Sequence, residues 1–358
     1  MDILSVVRLA AEKGASDLHL MVDNPPTLRI KGAMEPIADM QPLTSDDLSQ
    51  AFSQIASEEE MANFERNLEL DFGYSVPDVG RIRCNVAKQR GTLTFVIRLL
   101  PAKIPTLEQL GLPEVCKELI LKPRGLVVVS GPTGSGKSTT LSAMINYLNS
   151  TKSRRLITIE DPIEFVYTND KCVITQRELG GDTRSFAEAL RHVLRQDPDV
   201  ILVGEMRDLE TASAALTIAE TGHLILTTGH APSAPQTIER IIDMFPPHER
   251  GTVQSRLASL LVGILTQALI PTVDGKGRVA AIEIMLASPA IRANIRDGKI
   301  YQLPNAMLTQ ARMGMVLLDN ALMDLYRKGT ISRESVLAYC HEPDEITKLM
   351  GGGAGQQM

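Results

Sequence analysis

The sequence predicts an α/β fold: a parallel sheet flanked by helices, preceded by a small α+β domain and followed by a helical extension. Three observations carry the prediction. Apolar runs of strand length recur between helical stretches at Gly125–Ser130, 155–159, Val200–Val203, 223–228 and 279–286, the alternation expected of a parallel sheet covered on both faces. A glycine-rich stretch at 131–138 follows the first of these runs and precedes a helical pattern at 139–149, the setting in which a strand hands a phosphate-binding turn to a helix. At 358 residues the chain is also longer than one hydrophobic core usually serves.

In residues 1–100, positions 3–13 have helical spacing, 16–22 and 27–31 alternate as strands, and 48–67 reads as one helix. Two further strands, 80–88 and 92–100, are joined around Arg90 and Gly91 as a hairpin. Pro101 and Pro105 bracket a segment that continues neither helix nor strand, which places an interdomain linker at 101–106. The sheet domain then occupies 107–288. Within it, the apolar run 259–271 is too short to span a bilayer, includes Gly263, Thr266 and Gln267, and reads as a buried helix. Residues 289–350 are helical in pattern, with breaks at Gly298, Gly314 and Gly329, and the glycine-rich 351–358 has nothing to bury and reads as a disordered tail.

Composition narrows the function. Hydrophobic residues make up 44% and charged residues 22%, an ordinary soluble balance. The start carries Asp2 and no basic, apolar leader, so a cytoplasmic protein without a transmembrane segment is expected. The four cysteines Cys84, Cys116, Cys172 and Cys340 stand singly, without a C-x-x-C pair, which predicts reduced thiols and no structural zinc. A net charge of −6, 4% aromatic residues and no Trp argue against nucleic acid as a partner.

Gly131, Pro132, Thr133, Gly134, Ser135, Gly136, Lys137 and Ser138 match G-x-x-x-x-G-K-[ST] in full, and Thr139 follows. Glycines let backbone amides turn onto phosphates, the helix N-terminus adds its dipole, Lys137 reaches the β/γ-phosphates of ATP and Ser138 holds Mg²⁺. A second acid is expected at the end of a neighbouring strand. Glu205, after Val200–Val203 and Gly204, meets that demand as a Mg²⁺ partner acting through water, although many such enzymes have Asp where Gly204 stands; the alternative is an acid capping the next helix. Glu160, Asp161 and Glu164 cluster around Pro162 at another strand end, and Glu164 is the leading general base; turn and cap roles stay open for Glu160 and Asp161. His223 and His230 flank the run 224–229 and at strand spacing point to opposite faces, as γ-phosphate sensors or as structural residues.

These residues resemble the secretion ATPases that drive type IV pili and type II secretion, and within them the pilus-retraction branch. The likeness covers nearly the whole chain. It rests on Gly14-Ala15-Ser16-Asp17-Leu18-His19-Leu20, the phosphate loop, 159–164, Arg195-Gln196-Asp197-Pro198-Asp199 running into 200–208, and His223 and His230 at the family's His box. Ala290-Ile291-Arg292-Ala293-Asn294-Ile295-Arg296-Asp297 is similar to the retraction motif A-I-R-N-L-I-R-E, and the tetracysteine element of extension and secretion ATPases is missing. One departure is local: where retraction ATPases commonly read G-T-L-H-T, this chain has Thr227-Thr228-Gly229-His230-Ala231.

The resemblance implies a PAS-like first domain, a RecA-like ATPase domain, and a homohexamer that binds ATP and Mg²⁺ between the second domain of one subunit and the first domain of the next or its own. Arg81, Arg83 and Arg98, on the hairpin, would then reach the γ-phosphate; on residue type alone they read as solvated strand residues. It further implies pilus retraction and twitching motility, an inner-membrane platform protein and other pilus ATPases as partners, and a peripheral place at the cytoplasmic face of the inner membrane. Extension or secretion ATPases, an accessory retraction paralogue and a non-hydrolysing nucleotide-binding regulator are the alternatives.

Overall fold

The structure, a computed structural model, describes residues 1–100 and 103–351. The expected disordered tail lies outside the described residues apart from Gly351. The chain divides into two compact units: Met1–Ile104 together with Pro162–Tyr167, and Pro105–Asp161 together with Thr168–Met358.

The first unit is an antiparallel sheet covered by helices. Its strands are β1 (Asp17–Met21), β2 (Thr27–Ile30), β3 (Ala33–Pro36), β4 (Glu69–Val76), β5 (Gly80–Gln89) and β6 (Thr92–Leu99), in the order β3-β2-β1-β6-β5-β4. Between β5 and β6, Arg90 and Gly91 both have positive φ, 50° and 83°, as a two-residue hairpin turn requires. The helices are α1 (Ile3–Glu12), α2 (Ser45–Ile55) and α3 (Glu58–Asn67). The single helix expected at 48–67 is therefore two. Ala56 is extended, and Ser57 opens a new capping box with Glu60, a pair of side chains that satisfies helix-start amides and makes a second start stable. Leu18, Leu20, Ile82, Phe95 and Ile97 from the sheet meet Ile3, Val7, Leu48 and Phe52 from the helices in one core.

The second unit carries β7 (Gly125–Ser130), β8 (Arg155–Glu160), β9 (Val173–Glu178), β10 (Val200–Val203), β11 (Leu224–Thr228), β12 (Leu261–Pro271) and β13 (Arg278–Leu286), in the order β13-β12-β7-β11-β10-β8-β9. Helices α4 (Val115–Ile120), α5 (Lys137–Thr151), α6 (Phe186–Val193), α7 (Leu209–Glu220), α8 (Ala234–Asp243) and α9 (Arg250–Leu260) alternate with the strands. Beyond β13 lie α10 (Pro289–Arg296), α11 (Leu303–Thr309), α12 (Leu318–Arg327), α13 (Arg333–Tyr339) and α14 (Pro343–Gly351). Gly298, Gly314 and Gly329 lie between these helices with φ of 71°, 89° and 69°, the left-handed residues that end helices. None of the helices among the described residues is long and apolar enough to cross a membrane.

Two expectations are corrected here. The run 259–271 is not a helix: α9 stops at Leu260, and β12 pairs parallel with β7 and antiparallel with β13. A strand buried on both faces is mainly apolar on both, so its sequence lacks the alternation that separates strand from helix. The sheet is accordingly mixed, with β13 antiparallel at one edge. The polar, half-exposed edge strand β9 was missed because it carries almost no hydrophobic signal.

Candidate active site

Every residue of β7 is buried, and this rigid strand delivers the chain to Gly131. Gly131 has a φ of 137°, and a Cβ there would sit 2.3 Å from the Gln267 backbone O and 2.8 Å from Ser135 Oγ, so both conformation and space demand glycine. Gly134 and Gly136 are also left-handed, at 78° and 87°. Helix α5 begins at Lys137 with Gly136 as its N-cap; having no side chain, this cap leaves the first-turn amides to an outside acceptor. Lys137 is buried, and its Nζ donates to the carbonyls of Gly131 at 2.9 Å and Pro132 at 3.1 Å. Ser138 and Thr139 complete the first turn. Ser135 Oγ is buried with no hydrogen-bond partner among the described residues, the condition of a donor that awaits an oxyanion.

The loop is braced from β12. The buried Gln267 accepts from Thr140 Oγ1 at 2.9 Å, and its Nε2 donates to the Ser135 carbonyl, so one amide holds both the turn and the first turns of α5. On the other side Ala231 N donates to Ser130 Oγ at 3.1 Å, and Ser130 Oγ donates to the Ala231 carbonyl at 2.8 Å. A Cβ at Gly229 would lie 2.9 Å from that same Ser130 Oγ, which accounts for the glycine in place of the family's leucine.

Glu205 emerges beyond β10 and is nearly buried, its Oε1 2.6 Å from Arg207 Nε and its Oε2 3.3 Å from His230 Nε2. It does not cap the next helix; Asp208 does, accepting from Thr211 N at 2.8 Å. Gly204 N donates to the Ile159 carbonyl at 2.8 Å. A Cβ at Gly204 would come within 3.2 Å of that oxygen and 3.4 Å of Glu160 Cα, so the aspartate that many such enzymes have at this point would require the backbone around Ile159 and Glu160 to give by a few tenths of an ångström. A cavity of about 340 Å³ is lined by His230 together with Met206, Arg207, Gly229, Arg240 and Met244.

The structure separates other predicted residues. His223 precedes β11 at its N-terminal end, where its carbonyl accepts from Gly125 N and its Nδ1 lies 2.9 Å from Thr221 Oγ1. Thus β11, roughly 16 Å long at about 3.3 Å per residue, stands between His223 and His230. The two histidines flank opposite ends of the strand rather than opposite faces, and only His230 is at the phosphate-loop end. Glu160 Oε1 accepts from Thr158 Oγ1 at 2.6 Å and from Gln176 Nε2 at 3.2 Å, so it is held along the sheet. Asp161 is exposed at the boundary of the second unit, while Glu164 is half-buried in the segment Pro162–Tyr167 of the first. Neither unit by itself unites Glu164 with Lys137.

Arg81, Arg83 and Arg98 lie on β5 and β6 of the first unit. Arg98 Nε is 2.8 Å from Asp17 Oδ1, Arg83 Nε 3.8 Å from Asp71 Oδ1, and Arg81 Nη1 donates to Ser75 Oγ at 3.4 Å. Burial pushes the Asp17 carboxyl up, but the hydrogen bonds from Arg98 and Ser16 outweigh it and leave the group below the ordinary aspartate value. The 290–297 motif forms α10, where Arg292 Nε donates to the Ala287 carbonyl at 2.9 Å and Nη1 to those of Ala258 and Ser259 at 2.5 and 2.8 Å. It thereby satisfies carbonyls at the end of α9.

Sequence reasoning missed Gln267, Thr140, Arg207 and Glu283. Gln267 and Glu283 each left a signal, an amide in the apolar run 259–271 and a single acid in the apolar run 279–286, since a polar side chain inside such a run requires a buried partner.

The family described as Type II/IV secretion system protein matches residues 3–307. A protein of Pseudomonas aeruginosa described as type IV pilus retractation ATPase PilT is 48% identical over 97% of this chain and 100% of its own length. The twitching motility protein of Neisseria gonorrhoeae is 42% identical over 93% of this chain and 89% of its own. The crystal structure of the pilus retraction motor PilT with bound ADP is similar at a TM-score of 0.91 and 44% identity, covering 97% of this chain and 99% of that one.

Proposed function

The chain belongs to the type II/IV secretion system protein family, and from that premise we infer that it is an ATP-hydrolysing motor that powers type IV pilus retraction. The observation that carries the reading is the phosphate loop: left-handed glycines at 131, 134 and 136, a helix start left uncapped by side chains, and a buried Ser135 hydroxyl with no hydrogen-bond partner among the described residues. Such a cradle binds phosphates with backbone amides and positions a γ-phosphoryl group for transfer to water.

In this reading the first turn of α5 and Lys137 bind the β/γ-phosphates, with Lys137 exchanging its carbonyl acceptors for phosphate oxygens. Mg²⁺ would be held by the Ser138 hydroxyl and, through water, by Glu205, and it supplies charge neutralisation on the phosphates. His230 and Arg207 orient the Glu205 carboxylate. Glu164 is the general base for the attacking water, and Arg81, Arg83 and Arg98 stabilise charge on the phosphoryl group. Lys137 and Glu205 belong to the second unit, and Glu164 and the arginines to the first, so turnover requires both. A homohexamer at the cytoplasmic face of the inner membrane, acting on a membrane-embedded platform protein, converts that requirement into cyclic motion.

The test is ATPase activity of the purified chain beside Lys137→Ala and Glu164→Gln, with the mass in solution. Loss of activity in both variants and a mass of six chains support the motor; retained activity in Glu164→Gln moves the base to Glu205 or Glu160. Failure of the unaltered chain to bind MgATP would overturn the reading. Deleting the gene should leave cells with excess surface pili; bald cells would point instead to extension.

A further inference from the structure

Among the buried acids that the catalytic scheme leaves unused, Glu283 is the most deeply buried of the described residues. Glu283, on β13, is 2% exposed, and a carboxylate in such a place needs polar partners to offset its desolvation. Its Oε1 accepts from Ala234 N at 2.5 Å and its Oε2 from Leu318 N at 3.3 Å. Ala234 and Leu318 are the first residues of α8 and α12. One side chain therefore sits on two helix N-termini at once, where free amides and the helix dipoles favour negative charge. The N-cap of α12, Leu317, supplies no side-chain cap, so Glu283 caps that helix from a strand.

The two helices lead to different parts of the unit. Helix α8 starts four residues after His230, and the intervening Ala231 is clamped to Ser130, the residue before Gly131. Helix α12 opens the C-terminal helical cluster in which Leu318, Leu322, Met323, Ile331, Val336 and Ile346 pack together. A continuous line of hydrogen bonds and chain thus runs from Gly131 through Ser130, Ala231, Ala234 and Glu283 to Leu318.

We propose that Glu283 is a positioning residue that couples the C-terminal helices to the phosphate loop and the His230 turn. A shift of α12 relative to β13 is resisted or released at the carboxylate, and the same carboxylate sets where α8, and with it Ala231 against Ser130, comes to rest. Coupling of this kind is reciprocal: ligand at the loop must change the stability of the α12 start. Packing alone carries no such requirement, since an apolar side chain would fill the same space.

The experiment is amide hydrogen exchange of the full chain with and without MgADP, in the natural protein and in Glu283→Gln. Glutamine keeps the shape, yet its one carbonyl oxygen serves only one of the two amides. In the natural protein, nucleotide should slow exchange both at 131–138 and at the start of α12, the latter by at least about fivefold, the low end of measured site-to-site coupling. In Glu283→Gln the protection at 131–138 should persist while that at α12 disappears. Protection of the loop without any at α12 in the natural protein overturns the proposal, with no variant needed. Equal α12 protection in Glu283→Gln overturns it too. The coupling rests on the nucleotide reading, and absence of protection at 131–138 itself would identify that reading as the one that failed.

Discussion

Replacing Gln267 with leucine removes the brace behind the phosphate loop while roughly preserving side-chain volume. Two buried groups lose their partner: the Ser135 carbonyl and the Thr140 hydroxyl. A buried polar group left unpaired costs about 1–3 kcal/mol, so two set an upper range of roughly 2–6 kcal/mol. Thr140 Oγ1 has an escape, because a helical threonine can turn its hydroxyl to the carbonyl four residues earlier, here Gly136. The expected loss is therefore the lower part of that range, about 2–4 kcal/mol, most of it from Ser135. Urea unfolding of Gln267→Leu, Thr140→Val and the double variant measures it. The double variant should be less destabilised than the sum of the singles by about 1 kcal/mol or more, since contacting residues couple by about 0.5–3 kcal/mol. Fluorescent-ADP titration should show weaker binding in Gln267→Leu than in Thr140→Val, because only the former frees the turn at Ser135. A loss below about 0.5 kcal/mol, the size of an ordinary surface change, together with unchanged ADP affinity, would refute the brace.

Other expectations follow from single contacts. Gly131→Ala must move backbone, since its Cβ would lie 2.3 Å from the Gln267 carbonyl at a φ of 137°; ADP binding should be lost with strain of about 1–3 kcal/mol, and an alanine variant with normal ADP affinity would contradict this. Gly204→Asp, which introduces at the end of β10 the acid that many phosphate-loop enzymes carry there, should lower ATPase activity and stability because its Cβ would lie only 3.2 Å from Ile159 O and 3.4 Å from Glu160 Cα, so backbone must give way; a gain of activity would show that the strand end has room. Asp17 is held below the ordinary aspartate value, so its stabilising effect is full above the unfolded-state value and fades as pH falls through the folded one. Asp17→Asn should accordingly be less stable than the natural chain at neutral pH, with the gap closing in acid; a constant gap would refute the ion pair's role. Cys84 and Cys116 are buried and pushed up to about 12, and Cys172 is buried as well. A thiol reagent at mildly alkaline pH should react first with Cys340 in the native protein and with all four only after denaturation, and rapid native reaction of a second thiol would contradict the burial.

The parts of the fold readable in the sequence are those where local pattern and final environment agree. β7 and β10 run over Gly125–Ser130 and Val200–Val203 as the apolar runs indicate, and the turn after β7 is dictated by glycines whose φ no other residue tolerates well. β12 was misread because burial on both faces erases alternation. The break between α2 and α3 lay under a continuous helical period, although Ser57 and Glu60 hold the capping-box spacing that marks it. Within the site, Lys137 and Glu205 were visible as motif and strand-end acid. Gln267 and Glu283 were not assigned, because their roles depend on partners 127 and 49 residues away. Glu164 illustrates a further limit: its neighbours in sequence point to the sheet, yet 162–167 is part of the first unit, a long-range choice that no local spacing records.

The rims of the first unit's sheet carry a last consequence. β3 is four residues long, exposed throughout, and closes on Pro36, which has no N–H to offer; β4, at the other rim, turns Glu69 and Asp71 outward. Short, charged or proline-tipped borders are poor templates for adding a foreign strand. Copies of this protein that gather at high local concentration are thus steered toward contacts made by side chains, which are used up once an assembly closes on itself, and away from sheet growth that has no natural stopping point.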